Sequence, residues 1–176
     1  MTVWTVGHST RSAGEFVELL QAHQIELVAD VRRFPASRRH PHFSREQLEP
    51  MLASHGIGYA WMPALGGRRT PRKDSANTGW RVAAFRGYAD YMETPEFAEA
   101  LDGLLEAASA QRTAVMCAEA LWWQCHRRLI ADQLLATGHE VLHIQSRDVA
   151  APHKLIPPAS MRDGRLSYAA EQTDLL

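Results

Sequence analysis

The stretch "TAVMCAEALWWQCHRRLIADQLLATGHEVLHI", residues 113–144, decides the fold. Its first five residues form a continuous apolar run of the kind that makes a fully buried strand. From about Leu121 the apolar residues recur at helical spacing as far as Thr137, and Gly138 stands where a C-terminal cap belongs. Residues 140–144 then read as another strand. Strand, helix and strand in this order imply a parallel sheet with helices on its faces.

The same alternation continues outward in both directions. Residues 3–6 (VWTV) read as a strand. Ser12 with Glu15 forms a capping box, and Phe16, Leu19, Leu20 and His23 follow at helical spacing. Residues 25–31 read as the next strand. Ser44 with Gln47 is a second capping-box signature, opening a helix that stops near Gly56, and residues 58–62 are a short strand. Residues 65–81 are rich in Gly, Pro and Arg without periodicity, and read as a mobile basic loop. Residues 84–92 read as a helix. Thr94-Pro95 caps another, whose apolar face is Phe97, Leu101, Leu104, Leu105 and Ala108. The last thirty or so residues give mixed signals, with a small hairpin expected around Arg162–Arg165. The expected fold class is α/β. It is a single three-layer domain over residues 1–176, with a mostly parallel, Rossmann-like sheet, helices on both faces and a short C-terminal extension from about residue 147.

A chain of 176 residues suits one domain, and 45% hydrophobic with 22% charged residues is ordinary for a soluble globular protein. The start lacks a basic segment followed by a long apolar run, and no apolar stretch reaches the roughly 18 residues of a membrane helix. Two cysteines without a secretion signal point to the cytoplasm. The net charge of −1 conceals an asymmetry. Residues 31–86 carry eleven bases, Arg38 among them, against three acids, Glu46, Glu49 and Asp74. Such a face suits an anionic partner: a phosphate-bearing small molecule, or nucleic acid.

In open parallel sheets ligands collect beyond the carboxyl ends of the strands. The residues that arrive there are His8, Ser9 and Arg11 after the first strand, Asp30 and Arg32 at the second, and Cys117 and Glu119 after residues 113–117. A disulfide is disfavoured, because Cys125 is expected more than a turn into the following helix. Zinc is a minor reading: Cys117, Cys125 and His126, with His8 as a fourth ligand, are chemically suitable, but C-x7-C-H matches no tight ligand knuckle. Cys125 reads as a packing residue at the edge of the apolar stripe, with His126 pointing inward beside Arg127. Cys117, between a strand end and a helix N-terminus, reads as the thiolate, with Arg11, Arg32 or Arg127 lowering its pKa further. Glu119 stands two residues on, as base, acid or helix cap.

The order Asp30-Val31-Arg32, then residues 113–117 and a long helix, resembles the rhodanese sulfurtransferases, whose strand-end cysteine carries a persulfide. The likeness stops at the loop. There an arginine closes a tight turn a few residues after the cysteine, whereas Arg127 lies ten residues beyond Cys117. The whole chain more closely resembles the bacterial and archaeal family known as domain of unknown function 488. The segments that carry the resemblance are GHSTR (7–11), DVRRFPASRR (30–39), LGGRR (65–69), FRGYADYM (85–92), CAEALWWQCHRRLIAD (117–132) and PHKL (152–155). The resemblance implies an α/β fold, an activity not established, and motif residues at His8, Ser9, Arg11, Asp30, Arg32, Cys117, Glu119, Cys125, His126 and Arg127.

The leading expectation is a cytoplasmic enzyme, a transferase or hydrolase with sulfur transfer included, acting on a phosphate-bearing or nucleotide-like molecule. Cys117 is its nucleophile or sulfur carrier, with Glu119 as general acid/base and His126 in support. Arg11, Arg32, Arg68 and Arg127 join His8 and Ser9 in holding the anion, and Asp30 orients Arg32 or His8. The loop at residues 65–81 closes as a lid. No cofactor or metal enters this reading, no membrane partner is expected, and the oligomeric state stays open. The alternatives are a non-catalytic nucleic-acid or nucleotide-binding module that stacks bases on Trp80, Phe85, Tyr88 and Tyr91, and a zinc-binding protein.

Overall fold

The computed structural model describes residues 1–36 and 39–170, so Arg38 of the basic stretch lies outside the described residues. In chain order the elements are β1 (Thr2–Gly7), α1 (Ala13–Ala22), β2 (Leu27–Asp30), α2 (Arg45–Ala53), β3 (Gly58–Trp61), α3 (Ala83–Met92), α4 (Pro95–Ala110) and β4 (Thr113–Cys117). They continue with α5 (Arg127–Ala136), β5 (Glu140–Ile144), β6 (Ala150–Pro152), β7 (Ser160–Arg162) and β8 (Arg165–Ser167). One six-stranded sheet has the order β3-β2-β4-β1-β5-β6, parallel throughout except for antiparallel β6.

Adjacent residues of one strand point to opposite faces, and each face has its own core. Met116 packs with Val6, Val28, Phe16, Leu20, Leu48 and Leu52 under α1 and α2. Its neighbour Val115 packs with Val3, Tyr88, Leu104, Leu129 and Leu134 under α3, α4 and α5. The three-layer, Rossmann-like arrangement follows from strands that are apolar on both sides. The chain leaves β1 toward β2 over one face and leaves β4 toward β5 over the other. It therefore diverges between neighbouring strands β1 and β4, opening a crevice at their carboxyl ends.

Helix boundaries follow the sequence in most places. Ser12 Oγ accepts the Glu15 N–H at 3.2 Å, and the Glu15 carboxylate accepts the Ser12 N–H at 2.7 Å, which completes the box. The box expected at Ser44 does not form. That side chain makes no capping bond, and α2 opens on the Ser44 carbonyl, which accepts the Leu48 N–H at 2.8 Å. The largest departure follows β4. The helix expected from Leu121 begins only at Arg127, and a single 3₁₀ turn, Trp122–Gln124, precedes it. Tertiary packing overrides helical spacing here: Trp122 lies flat on His143, with ring centroids 4.2 Å apart and planes at 4°, and Trp123 stands at 90° to it.

The C-terminal segment packs back onto the core. β6 covers the β5 edge, the expected hairpin forms as β7 and β8 around Asp163 and Gly164 (φ 49° and 75°), and Tyr168 is buried. Among the described residues, no helix is long and apolar enough to cross a membrane.

This packing closes a buried polar chain. Asp132 accepts from His153 Nε2 at 2.8 Å and from the Tyr168 hydroxyl at 2.9 Å. A carboxylate only accepts, so His153 Nε2 carries its proton. His153 Nδ1 lies 2.9 Å from His143 Nε2, and His143 Nδ1 lies 2.6 Å from the Thr5 hydroxyl. Burial lowers the His143 pKa from 6.5 to about 3, and nearby His153 and Arg127 add to the effect. Between those two pH values the unfolded chain binds a proton that the folded chain refuses, so stability falls as pH falls. In ¹H–¹³C spectra the His143 Cε1 resonance is expected to stay at its neutral position from pH 7 to pH 5. A full titration in that range contradicts a buried, neutral His143.

Candidate functional site

The crevice is built by backbone contact between the β1 and β4 ends. The His8 N–H donates to the Cys117 carbonyl at 3.0 Å, and the Ser9 N–H donates to the Ala118 carbonyl at 2.9 Å. Gly7 allows this approach, since a Cβ there would stand 1.9 Å from the Glu119 carbonyl oxygen and 2.9 Å from the Arg127 guanidinium. Arg127 is 1% exposed and donates through Nη2 to that same carbonyl. It staples the irregular segment to the start of α5 and is not displayed for a ligand.

The staple folds residues 118–126 back, which overturns the expected separation of the cysteines. Cys117 Sγ, Cys125 Sγ and His126 Nδ1 all lie within 4.8 Å of one another. Nδ1 is 4.0 Å from Cys117 Sγ and 3.7 Å from Cys125 Sγ. Both thiols are free, and both border the cleft while nearly buried. Cys125 is therefore a full member of the cluster and no mere packing residue. His126 Nε2 lies 3.1 Å from the Val31 carbonyl. A carbonyl only accepts, so Nε2 carries a proton, and Nδ1 is the ring nitrogen turned to the sulfurs.

The lowered pKa expected at Cys117 falls instead at Cys125. Cys125, not Cys117, stands at a helix N-terminus, where the Arg127 N–H donates to its sulfur at 3.5 Å. Its pKa is lowered by the hydrogen bond from Cys117, then by His126 and Arg127. Cys117 is raised, because it donates that hydrogen bond and because it is buried. Glu119 does not cap a helix, since none begins there. Its carboxylate is exposed at the cleft and has no hydrogen-bond or ion-pair partner among the described residues.

Two of the arginines expected to hold an anion are engaged elsewhere. Arg11 donates to the Gly7 carbonyl at 2.6 Å and does not line the cleft. Arg32, 7% exposed, donates Nε and Nη2 to Asp30 and Nη1 to the Phe43 carbonyl at 2.8 Å. Asp30 orients Arg32, as its position suggested, and also accepts the Tyr59 hydroxyl at 2.6 Å. His8 stacks on Phe43, and its Nδ1–H donates to the Ser9 carbonyl at 2.9 Å. Burial, with the Arg32 charge, lowers its pKa from 6.5 to about 4, so His8 is neutral and walls the cleft.

Arg68 keeps its expected place. It is exposed on the cleft rim, with Arg39 also lining the cleft and Arg33 beside it. Ser9 and Arg68 both hold left-handed backbone, φ 53° and 61°, which costs a non-glycine residue about 1–3 kcal/mol and often marks functional loops. In the sequence Phe34 is passed over, Arg39 counts only as one base of the basic stretch, and Gly67 only as part of a flexible entry to the loop at residues 65–81. Gly67 packs so closely on His126 that a Cβ would lie 2.9 Å from Nδ1. Phe34 is 63% exposed on the cleft, with the Arg33 and Arg68 guanidinium groups each 5.8 Å from its ring. The cleft has a volume of about 730 Å³. A second depression at the opposite edge of the sheet, near His55 and Arg112, contains no such cluster.

The loop at residues 65–81 is tethered rather than free to close. Asp90 accepts the Arg72 N–H, the Ser75 hydroxyl and the Asn77 amide at 2.6–2.9 Å, and the Tyr88 hydroxyl donates to the Leu65 carbonyl. Of the aromatic set expected to stack bases, Trp80 and Tyr88 are buried core residues, whereas Phe85 and Tyr91 are half-buried and Phe85 lines the cleft. The basic charge is spread too: Arg69 lies over Tyr91, Arg72 pairs with Glu93, and Arg45 pairs with Glu49.

Compared with known proteins, the chain matches the family described as "Domain of unknown function DUF488" over residues 12–134, well over half its length. No curated protein and no solved structure gives a significant match.

Proposed function

The chain belongs to the domain of unknown function DUF488 family, and from that premise we propose that it is an enzyme acting on a phosphate-bearing small molecule in the cleft between the β1 and β4 ends. The observation that carries this reading is convergence. One cleft holds the Cys117–Cys125–His126 cluster, an unpartnered carboxylate on Glu119, and the exposed arginines Arg39 and Arg68. Among the described residues neither arginine has a carboxylate partner, so both keep their donors for a ligand. Paired guanidinium groups suit phosphate oxygens. The neutral His8 and buried Arg32 shape the wall without adding a mobile charge.

Glu119 is placed to move a proton, because nothing else competes for its oxygens. The cluster supplies the reacting centre, and hydrolysis or transfer at the phosphate-bearing group is the chemistry that these parts serve. Phe34, exposed between two guanidinium groups, offers a flat apolar surface for a ring next to the phosphate.

Calorimetric titration with inorganic pyrophosphate tests the anion half of this reading. Wild-type protein is expected to bind, and the Arg39→Ala/Arg68→Ala double variant to bind about 10- to 100-fold more weakly, the range for losing one or two charge-assisted hydrogen bonds. Equal affinities, or no heat at millimolar pyrophosphate in low salt, overturn the assignment. Across a panel of phosphomonoesters and nucleotides, Glu119→Gln is expected to abolish turnover while leaving pyrophosphate affinity unchanged.

A further inference from the structure

We infer that Cys117, Cys125 and His126 form a binding site for one zinc-class divalent ion, with its fourth coordination position open to the cleft. The inference deepens the proposed function and rests on it for the use of that open position, whereas binding of the metal stands on geometry alone. Zinc bonds of about 2.3 Å to sulfur and about 2.0–2.1 Å to nitrogen, in tetrahedral array, place S and N about 3.5 Å apart and two S atoms about 3.8 Å apart. The distances here are 3.7 and 4.0 Å from nitrogen to the sulfurs, with all three atoms inside 4.8 Å. Closure onto an ion needs movements of less than about 1 Å.

The surroundings prepare all three atoms as ligands. The Val31 carbonyl holds a proton on His126 Nε2, which leaves Nδ1, the nitrogen facing the sulfurs, as the ligand atom. A second hydrogen bond of this kind accompanies most metal-binding histidines. The Cys125 sulfur receives the Arg127 backbone N–H at 3.5 Å. This donor, with the buried Arg127 guanidinium close by, stabilises the negative charge of two thiolates. Gly67 leaves room against the imidazole that a larger side chain would fill.

A cysteine nucleophile explains one thiol and the histidine but gives the second cysteine no task, whereas a metal uses all three. Two thiolates and an imidazole select zinc over magnesium or calcium, which take oxygen ligands. The donor set is the only group of three among the described residues placed for a metal. Three protein ligands at a cleft leave the fourth position for water or a substrate oxygen, the arrangement of catalytic rather than structural zinc. The unusual C-x7-C-H spacing follows from the 3₁₀ turn at Trp122–Gln124, which brings Cys125 and His126 back beside Cys117.

Full-length protein purified without chelator is expected to contain about one zinc per chain by mass spectrometry of the metal. Replacement by cobalt(II) is expected to give intense visible bands of a tetrahedral ion and a near-ultraviolet sulfur-to-cobalt charge-transfer band. Cys117→Ser, Cys125→Ser and His126→Ala should each weaken cobalt binding at least about tenfold, while Arg39→Ala leaves it unchanged. In wild-type protein, zinc should protect both cysteines from a thiol reagent, and chelation should expose them, a readout that needs no variant to fold. Cobalt binding without a charge-transfer band, or thiol reactivity indifferent to zinc, overturns the metal site. Pyrophosphate binding that survives such a result leaves the anion cleft standing. Metal binding without pyrophosphate binding refutes the cleft and not the metal.

Discussion

Replacing Gly7 with alanine is expected to cost more than about 3 kcal/mol of stability and to scatter the cluster. The added Cβ would lie 1.9 Å from the Glu119 carbonyl oxygen and 2.7 Å from its carbon, inside any van der Waals limit. Both are backbone atoms, so no rotamer change relieves the contact. The β1 end must separate from the segment after β4, which breaks the His8–Cys117 and Ser9–Ala118 backbone bonds and the Arg127 staple. Arg127 would then be a buried cation with only the long bond to the Thr5 hydroxyl, and residues 118–126 would lose the restraint that holds Cys125 and His126 beside Cys117. Soluble yield and the urea midpoint measure the effect. A Gly7→Ala protein with a wild-type midpoint contradicts the described junction.

Removing the Asp30 carboxylate is the second large loss, about 3–5 kcal/mol for Asp30→Ala. Asp30 is fully buried and holds the Arg32 side chain through Nε and Nη2, with 2.6 Å for the shortest bond, besides the Tyr59 hydroxyl. Its loss leaves the Arg32 charge buried with only the Phe43 carbonyl and His8 for company. Asp30→Asn keeps the shape but loses the charge, and is expected to recover part of the loss. Urea unfolding of the two variants measures it, and a wild-type midpoint for Asp30→Ala shows that the ion pair is dispensable.

The parts of the fold legible in the sequence are those set by local pattern. All five parallel strands are apolar runs, and both the Ser12 box and the Thr94 cap declare their helices. The start of α5 was not legible, because Leu121 and Trp122 satisfy helical spacing as well as Leu129 and Leu134 do. What prevents a helix there is distant: the His143 ring under Trp122 and the Arg127 bond across to Glu119.

The candidate site shows the same division. The rule that reactive groups gather at strand ends correctly brought His8, Asp30, Cys117 and Glu119 to one edge. It could not tell which way a long side chain turns: Arg11 turns to a carbonyl outside the cleft, and Arg32 stands in the cleft wall with its donors taken by a carboxylate and a carbonyl. Cys125 was hidden for a related reason, since its place depends on the 3₁₀ turn. Arg39 and Phe34 carry no spacing signal, because each is defined only by the cleft it borders.

The central claim is that one cleft unites an anion pocket with the cysteine cluster. Its most direct measurement is the rate at which iodoacetamide modifies Cys117 and Cys125 in EDTA-treated protein, located by peptide mass spectrometry, with and without saturating pyrophosphate. Bound anion in the cleft is expected to slow modification of both cysteines in wild-type protein and to have no effect in the Arg39→Ala/Arg68→Ala variant. Modification rates that saturating pyrophosphate leaves unchanged in the wild type contradict the claim.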